Sequence, residues 1–230
     1  DDTRRAGVLV SLGAAEAGLD VLNETPLPRA VRGACDTRRG RELLFGEDRG
    51  YTPALFTWDR SRVWLEERAH PDGAATLAVT ALERRLLPLV RYDLEDEGRI
   101  IGADRLNDVL TRLGSPVRVE EPAVAVFGRR SSCLEGDGWS VRPEAIKESL
   151  FAIAAHAGTL TGRFRIVAEG GAPRVHVQLR DGARPTPRLA DHLTDIAAAA
   201  TDAPVTVRLH TYRDYPYHDG GDFQRKPRYL

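Results

Sequence analysis

Two stretches in the middle of the chain, PLVRYDLED at residues 88–96 and FGRRSSCLEGDG at residues 127–138, decide its predicted fold. The first is an apolar run that passes into an acidic turn, which is typical of a strand that ends in a loop. The second leaves a predicted strand at 123–127 through a glycine and continues as a polar segment. Because the sequence pattern changes after Gly128, we predict a domain boundary there, with domains at 1–127 and 128–230.

The segment before this boundary is predicted to be rich in strands. Residues 7–11 form a short apolar run that predicts a buried strand leading into a turn at Gly13, and residues 19–50 are predicted to be mostly loop, with a short helix at 41–45. Two apolar runs on either side of the turn at 70–73 predict an antiparallel hairpin or a small barrel. A helix is predicted at 104–113, where four apolar residues share one face.

The segment after the boundary has a different pattern. Pro143 opens a predicted helix, and two alternating runs follow around the Gly170-Gly171 turn. A second helix at 189–200 and a last strand at 205–209 complete the order αββαβ. This order predicts a compact two-layer α+β domain.

Composition limits the classes of function. The 230 residues carry a formal net charge of -1, with 42% hydrophobic and 29% charged residues, so we expect neither a nucleic-acid partner nor a membrane partner. The two cysteines, Cys35 and Cys133, are too few for a disulfide framework, which favours the reducing cytoplasm. No apolar run approaches the length of a membrane span. The chain lacks methionine altogether, so we do not expect Asp1 to be a native start.

The stretch at 88–96 resembles the Pro-Leu-Ile-Arg-Tyr-x-x-Gly-Asp motif of the phenylacetate-coenzyme A ligase branch of the adenylate-forming superfamily. In that family the final aspartate accepts hydrogen bonds from both ribose hydroxyls of the nucleotide, and a carboxylate has the two acceptor oxygens that this requires. The resemblance therefore implies nucleotide binding by Asp96. Glu95 stands where the family has glycine.

Three further segments resemble motifs of the same family. Gly128-Arg129 resembles its hinge motif, which implies that Arg129 contacts ribose or phosphate, while Ser131 and Ser132 occupy the hinge in place of an acidic residue. LGAAE at residues 12–16 resembles its Tyr-Gly-x-x-Glu turn, with leucine in place of tyrosine.

This turn implies nucleotide contacts from the backbone of Gly13 and Ala14, and a catalytic role for Glu16 as a ligand of Mg²⁺. The tail GGDFQRKPR at residues 220–228 resembles the segment that carries the family's mobile catalytic lysine. It implies that role for Lys226, although Arg225 replaces the usual glycine. A flexible ammonium group suits the charge that develops on a transferring phosphoryl group.

The resemblance covers nearly the whole chain as the carboxy-terminal half of such a ligase. It implies an α/β (α+β) fold, with residues 1–127 as the end of the large adenylating domain, including a small strand-rich barrel, and residues 128–230 as a mobile two-layer lid. The substrates would be ATP, a small carboxylic acid and coenzyme A, with Mg²⁺ as the metal. The amino-terminal half, in cis or on a partner chain, would hold the phosphate loop, so we expect the isolated chain to be inactive.

Two other functions remain open at this stage. A relative of the acyl-protein synthetases would deliver its acyl group to a protein instead of coenzyme A. A non-catalytic interaction module derived from this fold is the other alternative, and the departures at Leu12, Glu95, Ser131 and Arg225 favour it modestly. A metal cluster of His210, His218, Asp219 and Asp222 matches no strong ligand spacing.

Overall fold

A computed structural model describes residues 11–14, 18–83, 88–153, 156, 158–201 and 203–217. The chain forms two compact units, the first made of Asp1–Asp48 with Thr52–Ser131 and the second of Arg49–Tyr51 with Ser132–Leu230. Each unit combines helices with a β-sheet, antiparallel in the first unit and mixed in the second, so the predicted α+β class is confirmed. Glu16 and Lys226 lie outside the described residues, as does most of the strand predicted at 7–11.

The first unit contains seven strands and three helices among its described residues. They are β1 (Ser11–Ala14), β2 (Gly18–Asn23), α1 (Pro26–Cys35), α2 (Arg38–Phe45), β3 (Ala54–Phe56), β4 (Val63–Ala69), β5 (Ala75–Ala81), β6 (Tyr92–Ile101), α3 (Ala103–Arg112) and β7 (Ala123–Arg129). Strands β1 and β2 pair as an antiparallel hairpin. The helix predicted at 104–113 is confirmed as α3, which buries Leu106, Val109 and Leu110.

The other five strands form one antiparallel sheet in the order β3-β7-β6-β5-β4. The predicted hairpin is confirmed as β4 and β5, which pair from Val63↔Ala81 to Ala69↔Ala75. The predicted barrel is not confirmed, since β3 and β4 lie at opposite edges of the sheet in the described residues. Apolar side chains from β5, β6 and β7, including Leu77, Leu94 and Val124, form the core beneath this sheet.

The prediction that residues 19–50 are mostly loop is wrong. Strand β2 and two helices occupy this segment, and the short helix predicted at 41–45 is the last part of α2. Proline stands in the first turn of α1, where its missing N–H is not needed. Helix α2 begins after Thr37, whose hydroxyl accepts a hydrogen bond from the Gly40 N–H at 2.9 Å, and it ends at Gly46, whose φ is 83°.

Among its described residues, the second unit places two helices on one face of a three-stranded sheet. Its elements are β8 (Leu134–Gly136), β9 (Trp139–Val141), α4 (Pro143–Phe151), β10 (Leu160–Glu169), β11 (Ala172–Leu179), α5 (Pro187–Thr201) and β12 (Thr206–His210). The αββαβ order is confirmed, preceded by the short hairpin β8–β9. Strand β11 lies in the centre, antiparallel to β10 and parallel to β12. Val175, Val177 and Leu179 pack with α4 and α5 in the core.

None of the helices in the described part of the chain has both the length and the apolar character needed to cross a membrane.

Candidate functional site

A bulge of three residues in β6 positions the last residues of the 88–96 motif. Thr76 of β5 pairs with Glu97 and Ala78 pairs with Asp93, so Leu94, Glu95 and Asp96 lie opposite the single residue Leu77. Leu94 is 6% exposed and belongs to the core of the first unit. With the leucine buried in the core, the bulge leaves Glu95 exposed and Asp96 half-buried.

Glu95 adopts a left-handed backbone conformation, with φ of 60°. Non-glycine residues rarely adopt such angles, because the Cβ atom approaches the following carbonyl oxygen. The family motif has glycine at this position, and glycine reaches a positive φ without that steric cost. The departure at Glu95 therefore changes the side chain but keeps the backbone turn for which glycine is suited.

Asp93 anchors the start of the bulge. Its Oδ1 atom accepts a hydrogen bond from the Glu95 N–H at 2.9 Å, and its Oδ2 atom accepts from the Thr76 hydroxyl at 3.1 Å and from Arg68 Nη1 at 3.0 Å. Desolvation raises the pKa of Asp93, but these donors together outweigh it and leave the pKa below its usual value. The carboxylate is thus ionised at neutral pH and holds the turn closed.

The buried hydroxyl of Thr76 extends this network. Thr76 is 2% exposed, and its oxygen lies 2.9 Å from His70 Nε2. Because the hydroxyl donates its only proton to Asp93, the histidine nitrogen is the donor in this contact. The network joins β4, β5 and β6, so it fixes the bulge to the adjacent strand β5 and, beyond it, to the edge strand β4.

Asp96 and Arg129 are directly paired across β6 and β7. Asp96 is half-buried, whereas the Arg129 side chain is 55% exposed and lies 4.0 Å from Glu95 Oε2. Glu95 also accepts a hydrogen bond at its carbonyl oxygen from the Arg130 N–H at 3.0 Å. The two residues predicted to bind nucleotide, which are 33 positions apart in the sequence, are therefore neighbours at one end of the sheet.

Arg130, which follows β7, links this part of the sheet to the turn between β4 and β5. Its Nη2 atom lies 2.5 Å from Asp72 Oδ2, in the turn between β4 and β5. The hydrogen bond from Arg130 lowers the pKa of Asp72, and the N–H of Ala74 acts in the same direction. Both side chains of the ion pair are about half exposed, so its main effect is on geometry and its contribution to stability is small.

The predicted hinge residues lie where the chain passes from the first unit to the second. The division falls between Ser131 and Ser132, just after β7. Gly128, at the end of this strand, has a φ of 116°, and Phe127 is an extra residue in the pairing of β7 with β6. The backbone before the serines is therefore already irregular.

The remaining predicted site residues are Gly13, Ala14, Glu16 and Lys226. Gly13 and Ala14 lie at the end of β1, where the pairing with β2 is irregular between Leu12 and Ala14. Glu16 and Lys226 are outside the described residues. Among the described residues there is no group of three or more His, Cys, Asp or Glu side chains arranged to hold a metal ion.

Sequence reasoning missed the residues that support the site, namely Asp72, Thr76, Asp93 and Arg130. Asp93 was the only one with a detectable signal, since an aspartate two positions before a turn residue often accepts a hydrogen bond from the backbone of that residue. The other three act through pairing between strands that are distant in the sequence, which no local pattern reveals.

Comparison with known proteins shows the fold. No protein-family model matches the sequence, and no curated protein sequence matches it. Among solved structures, a 2-hydroxyisobutyryl-CoA ligase in the postadenylation state with a bound acyl-AMP is similar over 75% of this chain and 36% of its own, with 14% identity and a TM-score of 0.55. The same ligase with a different acyl-AMP matches over 81% and 43%, with 15% identity and a TM-score of 0.51.

An anthranilate-CoA ligase in complex with anthranoyl-AMP is similar over 91% of this chain and 37% of its own, with 12% identity and a TM-score of 0.54. The chain thus spans between 36% and 43% of the length of these structures. Identities this low establish the fold alone. The chain has the fold of the carboxy-terminal portion of adenylate-forming ligases.

Proposed function

We propose that this chain is the carboxy-terminal portion of an ATP-dependent ligase that activates a carboxylic acid as its acyl-adenylate and transfers the acyl group to coenzyme A. The observation that carries the proposal is the bulge in β6. Glu95 has the left-handed backbone for which the family motif uses glycine, and Asp96 follows it directly opposite Arg129. The fold shared with ligases solved with acyl-AMP supports the same function.

Asp96 and Arg129 have complementary roles in this proposal. The two carboxylate oxygens of Asp96 accept hydrogen bonds from the ribose hydroxyls. Arg129, with a long and largely exposed side chain, reaches ribose or phosphate, and its planar guanidinium suits phosphate oxygens. Both residues belong to the first unit, so ribose recognition needs no residue of the second.

The other predicted residues complete the proposed site. The backbone of Gly13 and Ala14 borders the adenine, Glu16 binds Mg²⁺, and Lys226 stabilises the charge that develops during adenylation. The Mg²⁺ ion would neutralise phosphate charge while it is bound. The phosphate loop belongs to the upstream part of the ligase, so the chain alone is proposed to bind adenylate without catalysing its formation.

Ser131 and Ser132 are proposed as the hinge on which the second unit, as the lid, turns between adenylation and thioester formation. A hinge requires residues that absorb a large change in φ and ψ, and small residues meet this requirement. The position of the unit boundary between the two serines supports the assignment. Branch membership within the superfamily, the identity of the acid and a location in the cytoplasm are proposals that rest on the resemblance alone.

The proposal is tested by isothermal titration of the chain with a non-hydrolysable acyl-adenylate analogue. We expect binding that the Asp96→Asn variant weakens at least tenfold, because a hydrogen bond to a charged group contributes about 1.5–3 kcal/mol. Glu120→Gln removes an exposed carboxylate of the same unit and serves as the matched control with unchanged affinity. Adenosine, which lacks the acyl phosphate, reports on the ribose contacts alone.

The outcomes separate the proposed ligase from an interaction module. Equal affinities of the wild-type chain and Asp96→Asn would contradict the assignment of Asp96. A folded chain that binds neither ligand, even after addition of an upstream half, would favour the interaction module. If binding is found, thioester formation by the completed enzyme in the presence of coenzyme A distinguishes it from a ligase that transfers to protein.

A further inference from the structure

A hydrogen-bonded chain of side chains crosses the second unit on the face of its sheet opposite the helices. His176 of β11 is 4% exposed, and its Nε2 atom lies 3.1 Å from Glu169 Oε1 in β10. Its Nδ1 atom lies 2.9 Å from Nε2 of His210 in β12. We call Glu169, His176 and His210 the histidine network; it links all three strands of the sheet.

The two imidazoles meet edge to edge in a nearly common plane. Their ring centroids are 5.1 Å apart and their planes differ by 15°. The facing nitrogens are only 2.9 Å apart, which is possible only if both lie between the ring centres. A lone pair and an N–H bond both lie in the ring plane, so this arrangement is that of an N–H···N hydrogen bond.

The carboxylate fixes the direction of this hydrogen bond. The hydrogen bond from His176 lowers the pKa of Glu169, so the carboxylate is ionised at neutral pH and acts only as an acceptor. His176 therefore donates from Nε2–H to Glu169, and in its neutral form it accepts at Nδ1 from His210 Nε2–H. One added proton is tolerated, since either ring then donates to the other as a cation close to Glu169.

A second added proton is not tolerated. With both imidazoles protonated, every ring nitrogen carries a hydrogen, and two N–H groups would face each other across 2.9 Å. Two carboxylates near the pair, Glu169 and Asp214, favour protonation, and three arginines oppose them. The charged and titratable groups around the pair are Arg165 and Glu169 from β10, Arg174 from β11, Arg208 from β12, and Asp214, Tyr215 and Tyr217 from the following segment.

The network lies beneath the segment 211–217, which covers this face of the sheet. Tyr217 packs edge-on against His176 with centroids 5.1 Å apart, and the 3%-exposed Tyr215 packs against His210 at 5.9 Å. Gln178, a buried neighbour on β11, donates a hydrogen bond to the Tyr212 carbonyl oxygen at 2.9 Å. The segment thus packs on the imidazoles of His176 and His210, and the contact between these two rings depends on their protonation.

We propose that the histidine network is a pH-sensitive switch that holds segment 211–217 against the sheet until both imidazoles are protonated, and then releases it. Burial lowers the pKa of His210, and the charges of His176 and Arg208 add to this effect, so the closed form resists the second proton. A group with a depressed pKa stabilises the closed form above its usual value of 6.5, and this stabilisation is lost as the pH falls below that value. This inference is independent of the proposed ligase function.

Amide hydrogen exchange of residues 211–217 in the 230-residue chain tests the switch at pH 7.5 and pH 5.5, with rates corrected for intrinsic exchange. We expect the protection of these amides to fall by up to about tenfold on acidification. This is the largest effect that one histidine can have if it is protonated freely in the released form and not at all in the closed form. His210→Gln keeps an amide N–H donor at a similar reach but does not titrate. Its protection should therefore change less than about twofold between the two pH values.

Two further variants complete the test. His192→Gln removes a ring of a second histidine pair, His156–His192, which has an edge-on contact at 5.1 Å, and it should behave as the wild type. His210→Ala should lower protection at both pH values. Protection that is unchanged by acidification in the wild type, or that falls equally in His210→Gln, overturns the proposal. Exchange of the α4 and α5 amides, which belong to the same unit as the substituted histidines, reports whether each variant is folded.

Discussion

Replacement of Glu95 by glycine should stabilise the first unit relative to replacement by alanine, which is the reverse of the usual order. At a positive φ of 60°, an L-residue is destabilised by about 1–2 kcal/mol relative to glycine. The greater freedom of glycine in the unfolded chain offsets about 0.4–1 kcal/mol of this gain. We therefore expect the free energy of unfolding of Glu95→Gly to exceed that of Glu95→Ala by about 0.5–1 kcal/mol.

The comparison of glycine with alanine isolates the backbone. Both variants lose the 4.0 Å contact between Glu95 and Arg129, so this contribution cancels. Glu120, which is also exposed but has no positive φ, is the control position. There the glycine variant should be less stable than the alanine variant by about 0.5–1 kcal/mol. A change of sign between the two positions is the signature of the left-handed turn.

Urea unfolding followed by tryptophan fluorescence measures these differences. The chain has three tryptophans, and Trp58 and Trp64 lie in the first unit. In a Trp139→Phe background the signal reports on that unit alone. If the glycine variant is less stable than the alanine variant at position 95 as well as at position 120, the turn is not left-handed in solution, and the bulge no longer supports nucleotide binding by Asp96.

Three other changes probe the same end of the sheet. Thr76→Val should lower the free energy of unfolding by about 1–3 kcal/mol, because it removes the buried hydroxyl that donates to Asp93, and urea unfolding measures the loss. Gly98→Ala should lower the free energy of unfolding by about 2 kcal/mol or more, because the new Cβ would lie 2.7 Å from the Ala125 carbonyl oxygen. Loss of the cooperative unfolding transition would also agree with this prediction, whereas wild-type stability would contradict it. Because the folded-state pKa of Asp93 is lowered, the stability it contributes should be present above its usual value of 3.8 and be lost as the pH falls below that value, and Asp93→Asn should flatten this part of the stability curve measured by urea unfolding.

Local patterns predicted the parts of the fold in which each element carries its own signal. The β4–β5 hairpin and the helices α3, α4 and α5 have apolar periodicity that is readable from sequence alone. Helix α1 and the first turn of α2 were missed because their prolines and glycines resemble loop signals. Gly40 in fact permits close packing, since a Cβ there would lie 2.5 Å from the Cys35 carbonyl oxygen.

The candidate site was predictable only as far as its motif extends. The resemblance identified Asp96 and Arg129, and the strand pairing brings them together. The φ of Glu95 could not be predicted, because glutamate has no preference for that conformation and the bulge is imposed by the buried Leu94 and the anchored Asp93. His176 and His210 were equally beyond local patterns, since only the parallel pairing of β11 and β12 makes them neighbours.

The edges of the five-stranded sheet affect how this piece of a larger fold behaves in solution. Strand β3 is only three residues long, and the opposite edge strand, β4, carries Glu66, Glu67 and Arg68 in succession. Short or charged edge strands disfavour the addition of a strand from another molecule. Extension of this sheet by a strand from another copy of the chain is thus opposed at both of its edges, in a protein that spans well under half the length of its structural neighbours.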